Sequence, residues 1–433
     1  MTRLIRAAAI QLEAQDRIDF ARSLDGIVGA TRRASSEADL VVLPEGTFPG
    51  YVLGDAPVDF DAIANALERL REIAISTQSV IVVGAALSSN AGIRNAAFVI
   101  DTNGSLAGRA DKLFLWHFDR RWFTQGDRLA PIHTSIGTLG VLVCADGRIP
   151  TISRALVDQG AIALVMPTAW VTSGRDPNAL ENVQADLLAR VRAYENHVPF
   201  IAANKCGSEL GMVAYCGKSQ IVDGDGEVIA IASEREPETL KGSVTLGGGS
   251  PRRIALPHLP PRLAHVDRPL RLAISFDPLA EDVDDQLKVL DDAYAISPHD
   301  EARLALLDRE VPVARVGDDL VLDPGGLVAY RRAGYPLICW TTSLSLPWSE
   351  RFARARALEL RIYLVVFDRR TRRAYAVDPD GTVVAGTFDG YRLASFSLDL
   401  RKTTETTVAP RSDICEAIER VDAILEREKG AAT

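Results

Sequence analysis

The chain has 433 residues, 47% hydrophobic and 25% charged, values of a globular protein long enough for two domains. Its formal net charge of −9 argues against a nucleic-acid or anionic-membrane partner, either of which asks for clustered basic residues, and leaves a small molecule as the expected ligand. The first residues, "MTRLIRAAAIQLEA", lack the apolar centre and cleavage site of a secretory signal, no apolar run approaches the roughly 20 residues of a membrane helix, and five irregularly spaced cysteines form neither a disulfide framework nor a zinc ribbon, so a reduced, cytoplasmic setting is expected.

In chain order, "IRAAAIQL" reads as a strand, "DRIDFARSLDGIVGATRRASSEA" as a helix, "DLVVLPE" as a strand and "DFDAIANALERLREIAISTQ" as a second helix. "SVIVVGAAL", "NAAFVI", "GVLVC" and "AIALVMP" continue as strands, followed by the helix "ALENVQADLLARVRAYENH" and the strand "VPFIAANK". Near-continuous apolar strands alternating with amphipathic helices predict an α/β protein whose sheet is covered by helices. Pro, Gly and Arg crowd residues 237–269, which reads as a linker or connecting arm between a first domain, 1–236, and a second, 270–433.

The second domain looks like a shortened repeat of the first. "ARVRAYENHVPFIAANK" lines up with "ARARALELRIYLVVFDR", and "SQIVDGDGEVIA" with "AYAVDPDGTVVA", both without gaps. Arg192 and Glu195 thus match Arg356 and Glu359, which marks them as a structural ion pair, and Leu322 falls near the place of Cys144. Nothing in the second half resembles "VVLPEGTFPGY" or "GRADKLFLW". Features present only in the first copy are the candidates for chemistry.

Three of these are ionisable or nucleophilic. Glu45 ends "DLVVLPE" before a Gly and Pro turn, at the carboxyl edge of the sheet where α/β proteins place ligands. Lys112 lies in "GRADKLFLW", and Cys144 ends "GVLVC" with Pro150 placed for the first turn of a helix. A buried cysteine by itself is a small core hydrophobe. With a carboxylate to take its proton, and an ammonium and the Ala145 backbone N–H to receive an oxyanion, it becomes a workable nucleophile. Asp146 and Arg148 are expected to pair with each other or cap the next helix, and Trp116 and Trp122 to pack in the core.

"LPEGTFPGY", "DKLFL" and "CADGRIP", with "MPTAW", "RAYENHVPFIAANK" and "SQIVDGDGEVIA" after them, resemble the nitrilase superfamily of carbon–nitrogen hydrolases. The resemblance implies a four-layer α-β-β-α sandwich, duplicated here with a shortened second copy that imitates the partner of the family's homodimers. It makes Cys144 the nucleophile, Glu45 the base and then acid, and Lys112 the electrostatic stabiliser, with no metal or organic cofactor. Asp119, in "FDRRWFTQGD", stands where many members carry a second glutamate, and Trp170 where the family lines its substrate pocket; with Ala145 they are the expected substrate-binding residues. The implied reaction is hydrolysis of a small linear amide or N-carbamoyl compound through a thioester, with release of ammonia or an amine. A nitrilase taking a nitrile to an acid, and a non-catalytic binding or scaffold protein, are the two other readings. Loops such as "VTSGRDPNALEN" would shape the pocket.

Overall fold

The computed structural model describes residues 3–173, 179–247, 251, 253–266, 268–279 and 293–431. Residues 174–178 of the pocket loop, and 248–250, 252 and 267 of the expected arm, lie outside them. The chain divides into two compact α/β units, one formed by Met1–Pro251 with Ala409–Thr433 and the other by Arg252–Val408. Among the described residues no helix is long and apolar enough to cross a membrane.

The first sheet of unit one runs Glu238–Leu246, Arg3–Glu13, Leu40–Val42, Val80–Ser89, Gly92–Ile100, Leu106–Asp111. Its middle strands are parallel and buried on both faces, which is why "LVV" and "VIVVGAA" are continuous apolar runs. One face, with Ala8, Ile10, Val41, Ile81 and Val83, packs against Phe20 and Ile27 of helix Phe20–Ser35 and Ile63, Ala66 and Leu70 of helix Phe60–Thr77. Asp59 starts the latter helix by accepting from the Ala62 N–H at 2.9 Å. The second sheet runs Val228–Ile231, Gln220–Val222, Phe200–Ala203, Ala163–Pro167, Gly137–Val141, Ile132–Thr134. Its strand Ala163–Pro167 touches Leu40–Val42 and Val80–Ser89, while helices Pro150–Asp158 and Ala189–Asn196 pack on Gly137–Val141 and Phe200–Ala203.

Two expectations about boundaries change. The start of the expected arm is a strand: Glu238–Leu246 pairs antiparallel with Arg3–Gln11, and it alternates buried and exposed residues, as an edge strand does. The end of the chain, expected in the second domain, folds with the first. Helix Ile414–Ala431 buries Ile414, Ala417, Ile418, Val421 and Ile424, a stripe at helical spacing, and meets helix Pro150–Asp158.

In unit two, the sheet Val313–Val316, Leu337–Thr342, Tyr363–Asp368, Arg373–Val377, Val383–Gly386 has the strand order of the second sheet of unit one. The registers correspond. Leu139 pairs Ala163 and Val313 pairs Leu337; Leu164 pairs Phe200 and Ile338 pairs Leu364; a register irregularity at Ile221/Val222 recurs at Ala376/Val377. Cys144 lies five residues beyond Leu139 and Asp318 five beyond Val313, so Asp318, not Leu322, takes the place of the thiol. The side chains agree. Arg192 Nε donates to Gly147 O at 2.9 Å and Arg356 Nε to Val321 O at 2.8 Å, three residues past Cys144 and Asp318 respectively. The other sheet of unit two has three described strands, Ala394–Leu398, Leu270–Ile274 and Ala293–Ile296. No described strand there corresponds to the antiparallel hairpin Gly92–Ile100 and Leu106–Asp111 of unit one.

Strand Val80–Ser89 and the turn after Leu40–Val42 meet closely at Gly84. A Cβ there would lie 2.5 Å from both Glu45 Cα and Pro44 O, while Gly84 O accepts from the N–H groups of Thr47 and Phe48. These are backbone atoms and cannot move aside as a side chain could. Gly84→Ala is expected to lower thermal stability by about 1–3 kcal/mol or more. Gly26→Ala, a helix position with open space around it, is expected to hold or raise stability by up to about 1 kcal/mol in the same denaturation experiment.

Candidate active site

Glu45 and Lys112 enter one space from the ends of strands in the first sheet, and Cys144 from a strand end in the second. Glu45, Lys112 and Asp119 are completely buried and form one ionic chain. Lys112 Nζ lies 2.7 Å from Glu45 Oε1 and 2.6 Å from Asp119 Oδ2. Burial disfavours the ammonium, but Asp119 and Glu45 more than restore it and hold its pKa well above the ordinary lysine value. Asn95 Nδ2 also donates to Glu45 Oε1, at 2.6 Å, whereas Glu45 Oε2 is buried with no hydrogen-bond partner.

Asp119, one of the expected substrate-binding residues, has both oxygens engaged within the protein. Oδ1 accepts from the Tyr51 hydroxyl at 2.6 Å; Oδ2 accepts from Lys112 and from the Trp116 N–H at 2.8 Å. Asp119 is carried on the turn His117–Arg121. The end of the chain holds that turn. Ser412 Oγ accepts from the His117 N–H at 2.8 Å, and Arg120 Nε donates to Arg411 O at 3.0 Å. Further along, Arg420 Nη2 donates to Gly126 O at 2.9 Å and Glu428 accepts from the Leu129 N–H at 3.0 Å.

Cys144 opens the 3-10 turn Cys144–Arg148 with φ of 45°, a left-handed conformation that costs a non-glycine residue of order 1–3 kcal/mol. Its neighbours hold it there. Asp146 Oδ2 accepts from the Val143 N–H at 3.1 Å, and Oδ1 from the N–H groups of Leu113 and Phe114 at 3.0 and 2.7 Å, tying this turn to the backbone just beyond Lys112. Arg192, paired with Glu195 at 2.8 Å, donates to the carbonyls of Gly147 and Arg148. Burial and the nearby Glu45 charge push the thiol up to about 12 against the pull of Lys112, Thr168 and Ala169. It therefore rests as a thiol and needs a base. Ala145, second in the turn, carries one of the N–H groups that a helix start leaves without an internal acceptor.

Trp170 is fully buried, its N–H held by Asn204 Oδ1 at 2.7 Å and its indole nitrogen without a partner. On either side of it, Ala169 and Val171 pack with Tyr51, Tyr215, Phe118 and Trp122, so Trp122 borders the site as part of an aromatic cluster. Asp146 and Arg148 do not pair with each other, because every Asp146 oxygen is taken by backbone donors. Sequence reasoning missed Asn95 and Ser412, and met Tyr51 only as the last residue of "LPEGTFPGY". Asn95 sits in an apolar strand, and Ser412 lies 268 positions beyond Cys144, 412 less 144. Among the described residues no group of three or more His, Cys, Asp and Glu could hold a metal.

Two outcomes follow from this geometry. Because the Glu45 charge raises the thiol, Glu45→Gln is expected to make Cys144 more acidic, and iodoacetamide should alkylate it faster than wild type at a given pH between 7 and 9, read by intact mass. Ser412→Ala leaves the His117 N–H without its acceptor, a cost of about 1–3 kcal/mol. Amide hydrogen exchange over residues 115–121 should then rise by about 5- to 100-fold, and Ser412→Thr, which keeps the oxygen, should restore protection.

The model of the carbon-nitrogen hydrolase family matches residues 6–253, more than half of the chain. A probable nitrilase of Schizosaccharomyces pombe is 27% identical over 54% of this chain and 85% of its own length. An (R)-stereoselective amidase of a Pseudomonas species is 28% identical over 52% of this chain and 80% of its own. An amidase structure from a Nesterenkonia species superposes with TM-score 0.49 and 29% identity, covering 56% of this chain and 90% of that one. With the match to that model spanning the strand ends that carry Glu45, Lys112 and Cys144, the chain belongs to the carbon-nitrogen hydrolase family.

Proposed function

We propose that the protein is a cysteine-dependent hydrolase of a small linear amide or N-carbamoyl compound. The observation that carries this reading is the asymmetry of Glu45: Oε1 is fixed by Asn95 and Lys112, while Oε2 is buried and unpartnered near a thiol that needs a base. Oε2 takes the Cys144 proton as the sulfur attacks the amide carbon, and the C=O electron pair moves onto oxygen. The Lys112 ammonium and the Ala145 N–H receive that negative charge. When the C–N bond breaks, Glu45 returns the proton to the leaving nitrogen, which departs as ammonia or an amine and leaves a thioester. Glu45 then takes a proton from water, whose oxygen attacks the thioester; the acid leaves and the thiol is restored.

Lys112 held between two buried carboxylates, with Glu45 Oε2 left unpartnered beside the thiol, supports an enzyme over a non-catalytic scaffold. The (R)-stereoselective amidase among its relatives supports amides, and the probable nitrilase keeps nitriles in the test. We further infer that unit one is a four-layer α-β-β-α sandwich, supported by helices on the outer faces of two contacting sheets. Unit two is read as its degenerate copy, supported by the matching registers and the repeated Arg–Glu grip.

Ammonia release from a panel of aliphatic amides, N-carbamoyl compounds and nitriles tests the reaction. Turnover is expected on amides or carbamoyl compounds, with Cys144→Ala slower by at least about 10³-fold and a trapped acyl adduct on Cys144 by mass spectrometry. Turnover unaffected in Cys144→Ala, or none on any class, would overturn the reading.

A further inference from the structure

Thr168 stands beside Cys144 by register. Val141 pairs with Val165 in the parallel strands Gly137–Val141 and Ala163–Pro167, and Cys144 and Thr168 each lie three residues further on, where both chains leave the sheet. Thr168 is completely buried, and its backbone is committed to the frame: its N–H donates to Ala203 O at 2.9 Å and its carbonyl accepts from the Glu45 N–H at 3.2 Å. Its hydroxyl is not so committed. Among the described residues no nitrogen or oxygen pairs with Thr168 Oγ1. The group on which that hydroxyl acts, together with the Ala169 N–H, is the Cys144 thiol, whose ionised form both favour.

The second unit supplies the contrast. Leu164 pairs with Phe200 and Ile338 with Leu364, so, four residues on, Thr342 takes the place of Thr168 and Asp368 that of Asn204. A threonine hydroxyl at a turn can take the N–H two residues ahead, and Thr342 does so, its Oγ1 accepting from the Leu344 N–H at 3.1 Å. In unit one the equivalent N–H, that of Trp170, goes to Asn204 Oδ1 at 2.7 Å. Asp368 makes no such bond; its Oδ1 accepts from the N–H groups of Arg370 and Thr371. Asn204 thus frees a hydroxyl that unit two spends on its turn. A buried hydroxyl without a partner costs stability, and this one is left beside the nucleophile. Resting on the hydrolase reading, we propose that Thr168 is a further catalytic residue, whose hydroxyl donates a hydrogen bond to the Cys144 sulfur whenever that sulfur carries negative charge. The charge arises twice. It forms as Glu45 Oε2 takes the thiol proton, and again when water has added to the thioester, the C–S bond breaks and its electron pair returns to sulfur. Thr168 keeps its own proton in both steps, and Glu45 carries the proton that moves.

Alkylation of Cys144 by iodoacetamide, read on the peptide that carries it, tests the contact without any substrate. Thr168→Val, close in shape but without a donor, should be alkylated about 3- to 10-fold more slowly than wild type between pH 7 and 9. Thr168→Ser, which keeps the donor, should restore the rate, and Thr168→Ala replaces Thr168→Val in the comparison if valine is not accommodated. Thr342→Val removes the equivalent hydroxyl from unit two and should leave the alkylation rate unchanged. Melting temperature controls for folding, and Thr168→Val is not expected to lower it, because the hydroxyl removed has no nitrogen or oxygen partner. With an amide substrate, Thr168→Val should lower kcat by about 10- to 100-fold and leave KM within about 2-fold. Wild-type alkylation in Thr168→Val, or equal slowing in Thr168→Val and Thr168→Ser, would overturn the assignment. If no amide is turned over and alkylation still depends on the Thr168 hydroxyl, the hydrolase reading falls and the bond to sulfur stands. If amides are turned over and Thr168→Val matches wild type in both rates, the role of Thr168 falls alone.

Discussion

One ammonium held between two carboxylates, with all three groups out of water, is the constraint on which the catalytic unit depends. Taking ions into a protein interior costs several kcal/mol each, and the loss is recovered only where geometry and extra hydrogen bonds satisfy what remains. Here Lys112 meets Glu45 and Asp119 at 2.7 and 2.6 Å, while Asn95, Tyr51 and the Trp116 N–H occupy further carboxylate positions. One acceptor, Glu45 Oε2, is left over. The strained turn of Cys144 is held against the same cluster by Asp146 and Arg192, so Cys144, Glu45 and Lys112 share one rigid frame.

Unit two shows which parts of that frame belong to folding. It keeps the strand order, the register irregularity and an Arg–Glu pair that grips the turn carbonyls through Arg356. Where the thiol would be it has Asp318, which accepts from Trp340 Nε1 at 3.0 Å. Among its described residues it also lacks the hairpin that supplies Asn95 and leads into Lys112. In unit one that hairpin leads directly into Lys112, so its absence among the described residues of unit two removes the position from which that ammonium enters.

The chain leaves the catalytic unit near Pro251 and returns to it at Ala409. The returning segment binds the turn carrying Asp119 through Ser412 and Arg411, so a contact that steadies Lys112 is made by residues 295 and 291 positions further along the chain. The helix that follows would be amphipathic in either unit. Its apolar stripe says only that it must be covered, and packing decides by what.

Much of this protein was legible before folding was considered. Continuous apolar runs such as "VIVVGAA" fix buried parallel strands, and strand-end positions put Glu45, Lys112 and Cys144 at the carboxyl edges of sheets, because these are local consequences of burial and turn chemistry. The ungapped match of Arg192 and Glu195 to Arg356 and Glu359 marked a structural pair for the same reason. The offset between Cys144 and Asp318 was not legible, since short apolar runs slide past one another in sequence and only hydrogen-bonded register fixes them. Nor were the counterion role of Asp119, the support from Asn95 and Ser412 or the strand at Glu238–Leu246. Each depends on partners tens to hundreds of residues away, and a charge, an amide or a hydroxyl carries no sign in the sequence of which distant atom will meet it.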